Sequence, residues 1–418
     1  MQDSLELESF FCDFDISFPA MRWLIGFVFY KVAFGLLSVL LPLYITQTSQ
    51  GNVVVWGVFT ATATFLAIPF AFLWGYLCDA TQRYRLFILM SFATVTVLLY
   101  AFTLTTDLFM LGILYTLIII FEVAHEPSKN VLIAETYSHS EWKKGFASYE
   151  GWTEFGWIIG LLLGFVLATL NLGNTTMLLI SVFFNSVAFL ASAIFVMDPA
   201  LIFERGLVSM EKSISVVQRG AVLLSKADSE PNALSEFKQE NASALCVGLV
   251  LFALATSMFF TPLPIFFVRS LALQTNTIFI LFVLNSSSCF LGYILVQRKT
   301  GLLLGSQHIR RIALMRSGLV LLPVLAAATS FYGALALSIT VLVGMGFVFA
   351  FYSISVLSLS MEVIPQGRAG LFTALVGTGS AIGCLIGPLI AENLGFQYTF
   401  MISAIFFLIS FAAFKKFE

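Results

Sequence analysis

The segment GYLCDATQRYR, residues 75–85, concentrates charge between two strongly apolar runs. The surrounding chain of 418 residues is 59% hydrophobic and only 11% charged, and it contains 45 phenylalanines. A soluble protein of this length could not cover so much apolar surface. The composition therefore predicts an all-α membrane protein in which residues 75–85 form a short polar loop between two membrane-spanning helices.

Working outward from this loop, twelve segments are long and apolar enough to cross a bilayer. They fall into two groups of six, at 20–197 and 244–414, separated by a polar stretch at 198–243 whose first part has the spacing of an amphipathic helix. Residues 1–19 and 415–418 are expected to be tails. The predicted spans are 20–46, 53–77, 86–106, 108–134, 146–170, 175–197, 244–268, 276–297, 310–328, 331–360, 370–391 and 396–414.

Lysine and arginine cluster at one end of these spans, which is the end expected to face the cytoplasm. Only Arg269 falls at the opposite end, and Lys31 falls inside span one. Both termini are then cytoplasmic in a multi-pass protein of the cell (inner or plasma) membrane. The cations assigned to inner loops and inner helix ends are Arg22, Arg83, Arg85, Lys129, Lys143, Lys144, Arg205, Lys212, Arg219, Lys226, Lys238, Arg298, Lys299, Arg310, Arg311, Arg316, Arg368, Lys415 and Lys416.

The two groups of six spans carry matching glycine series. Small residues at every fourth position let helices approach closely, so one such series indicates helix packing. Two series at corresponding positions indicate a duplicated six-helix unit. The first series, in span five, is Gly156, Gly160 and Gly164, and the second, 223 residues later in span eleven, is Gly379, Gly383 and Gly387.

The loop after span two resembles the signature of the major facilitator superfamily. Gly75, Asp79, Arg83 and Arg85 stand where that signature has a glycine, an acidic residue and two basic residues. The resemblance implies twelve helices in two pseudo-symmetric bundles, a protein that works as a monomer, and a cytoplasmic latch formed by these four residues. The corresponding loop after span eight has Val296 in place of the acidic residue.

Three ionisable residues lie at comparable depth inside the N-terminal spans, namely Lys31, Glu122 and Glu154. Such groups are costly in a membrane and mark functional sites. On the layout that the resemblance implies, all three face one central cavity, where Glu122 or Glu154 could bind and release a proton. Alternatively, Lys31 and Glu122 form a buried structural ion pair.

Span four adds further charge in the segment FEVAHEPSK. Helical spacing places Glu122, His125, Glu126 and Lys129 on one face, and Pro127 is expected to loosen the helix there. His125 and Glu126 are therefore further candidates for proton coupling or substrate charge. A structural role for His125 is equally compatible with the pattern.

The C-terminal spans offer hydroxyl and amide groups instead of charge. Thr256, Asn285 and Tyr352 are the candidates for a substrate cavity, although a hydroxyl in a helix often bonds its own backbone. No phosphate-binding loop, metal-ligand cluster, nucleophile–base pair or basic tract stands out, so neither an enzyme nor a nucleic-acid partner is expected.

These features predict a secondary transporter of a small organic molecule that works by alternating access. It needs no cofactor, and the proton gradient is the expected energy source. Export is placed slightly ahead of uptake, because the glycines of span five resemble those of the exporter branch. The alternatives are a uniporter or importer of a sugar or carboxylate metabolite, and a membrane sensor that keeps the fold without transporting.

Overall fold

The computed structural model describes residues 22–50, 52–137, 142–198, 242–298, 306–326, 329–363 and 369–417, and helix is the only regular secondary structure in these ranges. The all-α class is therefore confirmed. The tail at 1–19, the expected amphipathic helix of the linker and residue 418 lie outside the described residues.

The helices follow the predicted order and are numbered here as spans one to twelve. Spans one to six are Leu24–Thr48, Val53–Thr81, Tyr84–Thr103, Leu108–Glu122 with its continuation Glu126–Thr136, Trp142–Thr169 and Asn174–Phe195. Spans seven to twelve are Ala242–Phe260 with its continuation Leu263–Arg269, Thr275–Arg298, Ser306–Ala326, Phe331–Val363, Ala369–Asn393 and Phe396–Phe417.

Eleven of the described spans are long and apolar enough to cross a membrane. The exception is span nine, Ser306–Ala326, which carries three arginines. We call the end of the molecule that holds residues 49–50, 170–173 and 393–395 the outer end, following the predicted orientation, and the opposite end the inner end.

Side-chain caps explain where several helices begin. The Asn52 side chain accepts the N–H of Val54 at 2.8 Å, and Asp107 accepts the N–H of Met110 at 3.0 Å. Each cap satisfies a free N–H group and contributes about 1 kcal/mol.

Span two is longer than predicted. It continues to Thr81, and Gln82, with a φ of 53°, ends it in the left-handed region. The loop expected at 75–85 is therefore mostly helix. Asp79 lies on the last helical turn of span two, and only Gln82 and Arg83 separate this span from span three.

The two halves repeat one packing pattern. Span one packs on spans five and six, as span seven packs on spans eleven and twelve, and span three packs on span six as span nine packs on span twelve. Close approach at glycine makes this possible. A Cβ on Gly160 would overlap the Val32 carbonyl oxygen in span one, and a Cβ on Gly383 would overlap the Leu254 carbonyl oxygen in span seven.

The halves meet along two contact surfaces, which we call the two–eleven seam and the five–eight seam after the spans that form them. Near the outer end of the two–eleven seam, Gly57 lies so close to Pro388 that a Cβ would come within 2.7 Å of the proline ring. Further in, a Cβ on Gly377 would come within 2.9 Å of Ile68. These seams position the charged residues of the N-terminal half against the C-terminal half.

Candidate functional site

The five–eight seam brings a carboxyl group of one half against the other half. Glu154 of span five faces the hydroxyl of Ser286 in span eight. One residue along, Phe155 contacts Phe290 with ring centroids 5.9 Å apart. The Glu154 side chain is half-buried at this contact between the halves. Glu154 is therefore placed where its charge can influence the contact between the halves.

A cluster of charged side chains surrounds Glu154 within the N-terminal half. The charge of Lys31 acts on the carboxyl groups of Glu122, Glu150 and Glu154, which places all four in one electrostatic environment. Carboxyls grouped in this way disfavour joint ionisation, so one of them can hold a proton. The structure thus brings together the predicted residues Lys31, Glu122 and Glu154, and adds Glu150.

Lys31 makes no ion pair within 4 Å in the part of the chain that the structure describes. Its ammonium instead lies 5.6 Å from the ring centroid of Trp157 and 5.9 Å from that of Tyr30. Contacts of this kind stabilise a cation only in part. The alternative of a direct Lys31–Glu122 salt bridge does not describe this conformation, in which the two groups interact only at longer range.

Span four breaks beside Pro127, as its sequence predicts. A 3-10 turn at Val123–His125 separates Leu108–Glu122 from Glu126–Thr136. The indole of Trp74 in span two donates to the carbonyl of Ile120 at 3.0 Å, just before the break. This hydrogen bond satisfies a carbonyl near the turn and ties the bent span to span two.

The break separates the roles of the four polar residues of span four. His125 is only 1% exposed, packs among the rings of Phe27, Tyr30 and Phe92, and shares a hydrogen bond between its Nδ1 and the Ser91 hydroxyl at 3.2 Å. It therefore lies in the core of the N-terminal bundle.

Glu126 forms the ion pair of this segment. Its Oε2 accepts a hydrogen bond from Lys129, and its Oε1 lies 3.7 Å from His125 Nε2. Lys129 in turn lies over the ring of Tyr149, 5.0 Å from the centroid. Glu126 is thus paired with Lys129, and the charge of Lys31 acts on both Glu122 and Glu126.

The four residues of the predicted latch are not gathered at one point. A Cβ on Gly75 would meet no described atom within 4 Å, and Asp79 and Arg83 are exposed. Arg85 instead binds the end of span six, where its Nη2 donates to the Ala193 carbonyl at 2.6 Å, and the segment that follows, where its backbone N–H donates to Asp198 at 2.8 Å. The described contacts of Arg85 thus lie within the N-terminal half.

The predicted substrate residues of the C-terminal half lie on three different spans. The Thr256 hydroxyl donates to its own helix at Phe252 O, at 2.8 Å, as hydroxyls in helices often do. Tyr352 stacks on Phe252 with ring centroids 3.7 Å apart. The buried Asn285 Oδ1 has no hydrogen-bond partner among the described residues.

One charged residue that contacts Thr256, namely Arg316, lies away from its predicted position. Arg316, expected at the inner end of span nine, is 1% exposed in the interior of the C-terminal bundle. Span nine begins at Ser306, one turn before the predicted start at residue 310, and this shift carries Arg316 deeper. Three arginines in one apolar helix were the available signal that one of them has an internal role.

The glycines of both series lie at close helix contacts. Span five packs on span one through two of them and on span eight through the third, whereas all three glycines of span eleven pack on span seven. The neighbours that an added Cβ would strike are Val28 for Gly156, Val32 for Gly160, Phe279 for Gly164, Val250 for Gly379, Leu254 for Gly383 and Met258 for Gly387. Within the described ranges, no group of His, Cys, Asp and Glu side chains could hold a metal ion.

Comparison with known proteins gives a consistent result. A sequence model of the Major Facilitator Superfamily matches residues 23–388. The solved structure of the nucleoside transporter NupG aligns with a TM-score of 0.68 at 13% identity, over 95% of this chain and 98% of that one. The human organic anion transporter MFSD10 (TETRAN) aligns with a TM-score of 0.67 at 16% identity, over 94% and 98%. At such identities the likeness shows the fold alone. A comparison with curated protein sequences finds no match.

Proposed function

Because the chain belongs to the Major Facilitator Superfamily, we propose that it is a secondary active transporter that couples the movement of a small organic molecule to protons. Alternating access would occur by rocking of the two six-helix halves about their seams. The observation that carries the proposal is the position of Glu154, which faces Ser286 across the five–eight seam and shares the field of Lys31 with Glu122.

The proposed coupling rests on the cost of burying charge. A neutral Glu154 carboxyl can donate a hydrogen bond to Ser286 and remain in the closed seam, whereas an ionised one pays a desolvation penalty there. Loss of the proton therefore favours separation of spans five and eight. Glu122 offers a second carboxyl that interacts with Lys31, so the proton can be shared between the two sites.

Export is proposed ahead of uptake, with the glycine series of span five as its only support. The substrate is proposed to bind between the halves, near the charged cluster and the hydroxyl groups of the C-terminal half. The two solved structures with similar folds are described as carriers of nucleosides and of organic anions. Both chemistries therefore belong in a search for the substrate.

The test uses purified protein in liposomes that contain a pH-sensitive dye. The probes are uridine, glucose, lactate, benzoate and tetraphenylphosphonium, which cover neutral, anionic and cationic organic molecules. We expect one of them to move protons with the wild-type protein but not with Glu154→Gln or Glu122→Gln. Asp107→Asn is the matched control, because Asp107 only caps span four and asparagine caps equally well.

The alternatives predict different results. Substrate flux without proton movement in the wild-type protein would indicate a uniporter and would remove the coupling. Binding of a probe without flux of either the probe or protons would favour the sensor.

A further inference from the structure

Arg316 lies at the meeting point of four spans in the C-terminal half. Its Nη1 donates to Thr256 Oγ1 of span seven at 3.0 Å, and its Nη2 donates to the Met345 carbonyl of span ten at 3.3 Å. The guanidinium carbon lies 5.1 Å from the ring centroid of Phe252 and 5.3 Å from that of Phe349. A third ring, from span twelve, lies 6.0 Å away.

No anionic partner of this guanidinium lies among the described residues. Arginine does not lose its proton in proteins, so burial cannot neutralise it. Within the described ranges no carboxylate lies within 4 Å of Arg316, and its Nε has no hydrogen-bond partner there. The aromatic rings and two hydrogen bonds offset only part of the desolvation cost. An apolar side chain would fill this space more cheaply, which argues for a role beyond packing.

The contacts of Arg316 lead directly to the predicted substrate residues. The Thr256 hydroxyl accepts a hydrogen bond from Arg316 and donates its own proton to the Phe252 carbonyl. These two hydrogen bonds fix the orientation of the hydroxyl group. Phe252, which lies against the guanidinium, stacks on Tyr352 with the two rings 13° from parallel. Arg316 thus holds the half-buried Thr256 hydroxyl and the buried Phe252–Tyr352 stack in place.

We propose that Arg316 is a specificity-determining residue of the transporter, which positions Thr256 and the Phe252–Tyr352 stack and makes this side of the site favour anionic or neutral organic molecules over cations. The inference rests on the proposed function, since it assumes that a substrate binds between the halves. Arg316 acts through its neighbours and through its field, because it is itself buried beneath them.

The test compares three competitors that share a benzene ring and differ in charge, namely benzoate, benzyl alcohol and benzylammonium. Each is added to liposomes that transport whichever probe the wild-type protein carries. With wild-type protein, benzoate and benzyl alcohol should inhibit more strongly than benzylammonium. Arg316→Lys keeps the charge and should keep this order. Arg316→Met removes the charge and should shift the ratio of the benzoate and benzylammonium inhibition constants by roughly tenfold or more toward the cation, as expected when the field of a buried cation is lost.

The possible failures are distinguishable. If the wild-type protein carries no probe, the proposed function fails and this inference fails with it. If transport occurs but Arg316→Met keeps the wild-type order and only lowers the melting temperature, Arg316 is structural and the inference is overturned. If Arg316→Met does not fold, Thr256→Val is tested instead. This variant removes the hydroxyl that accepts the hydrogen bond from Arg316 and leaves the charge of Arg316 in place. That variant should raise KM for the carried probe at least threefold, and an unchanged KM would contradict the proposed positioning.

Discussion

Arg269 Nη1 lies 3.0 Å from Glu392 Oε2 at the outer end of the molecule, and the same carboxylate oxygen accepts the N–H of Val53 at 3.3 Å. Arg269 and Glu392 belong to spans seven and eleven, whereas Val53 begins span two in the other half. Glu392 therefore connects the C-terminal half to the positive end of a helix in the N-terminal half, and it helps to keep the outer end of the two–eleven seam closed.

The first prediction concerns this closure. Glu392→Gln weakens both contacts, and because Arg269 and Glu392 are about one-third exposed, we expect a loss of only about 1 kcal/mol, or roughly a fivefold change in the balance between closed and open outer ends. The change is measured as the distance between spin labels on Leu170→Cys and Leu394→Cys, two exposed sites on opposite halves. Longer distances should become more populated.

Asp107→Asn provides the matched control for this measurement. Asp107 is also an outer-end carboxylate at a helix N-terminus, but it caps only its own span. Its neutralisation should leave the distance distribution unchanged. If the two variants behave alike, the contact made by Glu392 does not hold the seam.

The second prediction concerns helix packing. Gly160→Ala places a methyl group against the Val32 carbonyl, and backbone atoms cannot move aside as a flexible side chain can. We expect a destabilisation of about 1–3 kcal/mol, as for overpacked cores. In contrast, an added Cβ at Gly318 meets no described atom within 4 Å, so Gly318→Ala should be neutral or stabilising by up to about 1 kcal/mol. Thermal unfolding in detergent compares the two variants, and equal melting temperatures would contradict the packing account.

The third prediction concerns the bend in span four. Trp74→Phe removes the donor to the Ile120 carbonyl while keeping an aromatic ring, so it should cost about 1–3 kcal/mol if the carbonyl is left without a partner. Tyr76→Phe, at an exposed position on the same helix, is the control and should change little. Thermal unfolding again provides the comparison. Stability equal to that of the control would show that the indole hydrogen bond does not support the bend.

The general architecture follows from the sequence because it depends on local properties. Apolar length fixes most of the spans, and the matching series that begin at Gly156 and Gly379 indicate two equivalent halves. The outer contact between Arg269 and Glu392 was beyond such reasoning, since it depends on how distant spans are arranged around each other.

The charged residues show where sequence reasoning loses accuracy. Helical spacing placed His125 beside Glu122, but the 3-10 turn at Val123–His125 changes the direction of the following residues, and His125 enters an aromatic core. Arg316 was misplaced because the predicted start of span nine, residue 310, lies about one turn after the observed start at Ser306. In both cases a local change in the helix, a 3-10 turn in span four and an earlier start of span nine, determines which residues surround the side chain.

The most direct test of the central claim compares exchange with accumulation in Glu154→Gln. Glutamine resembles the protonated carboxyl, so the variant should still exchange a carried probe across the liposome membrane when no proton gradient is present. With an imposed gradient, the wild-type protein should drive net movement of the probe against its concentration difference, and the variant should not. Gradient-driven movement by Glu154→Gln at the wild-type level would contradict the role of Glu154 in proton coupling.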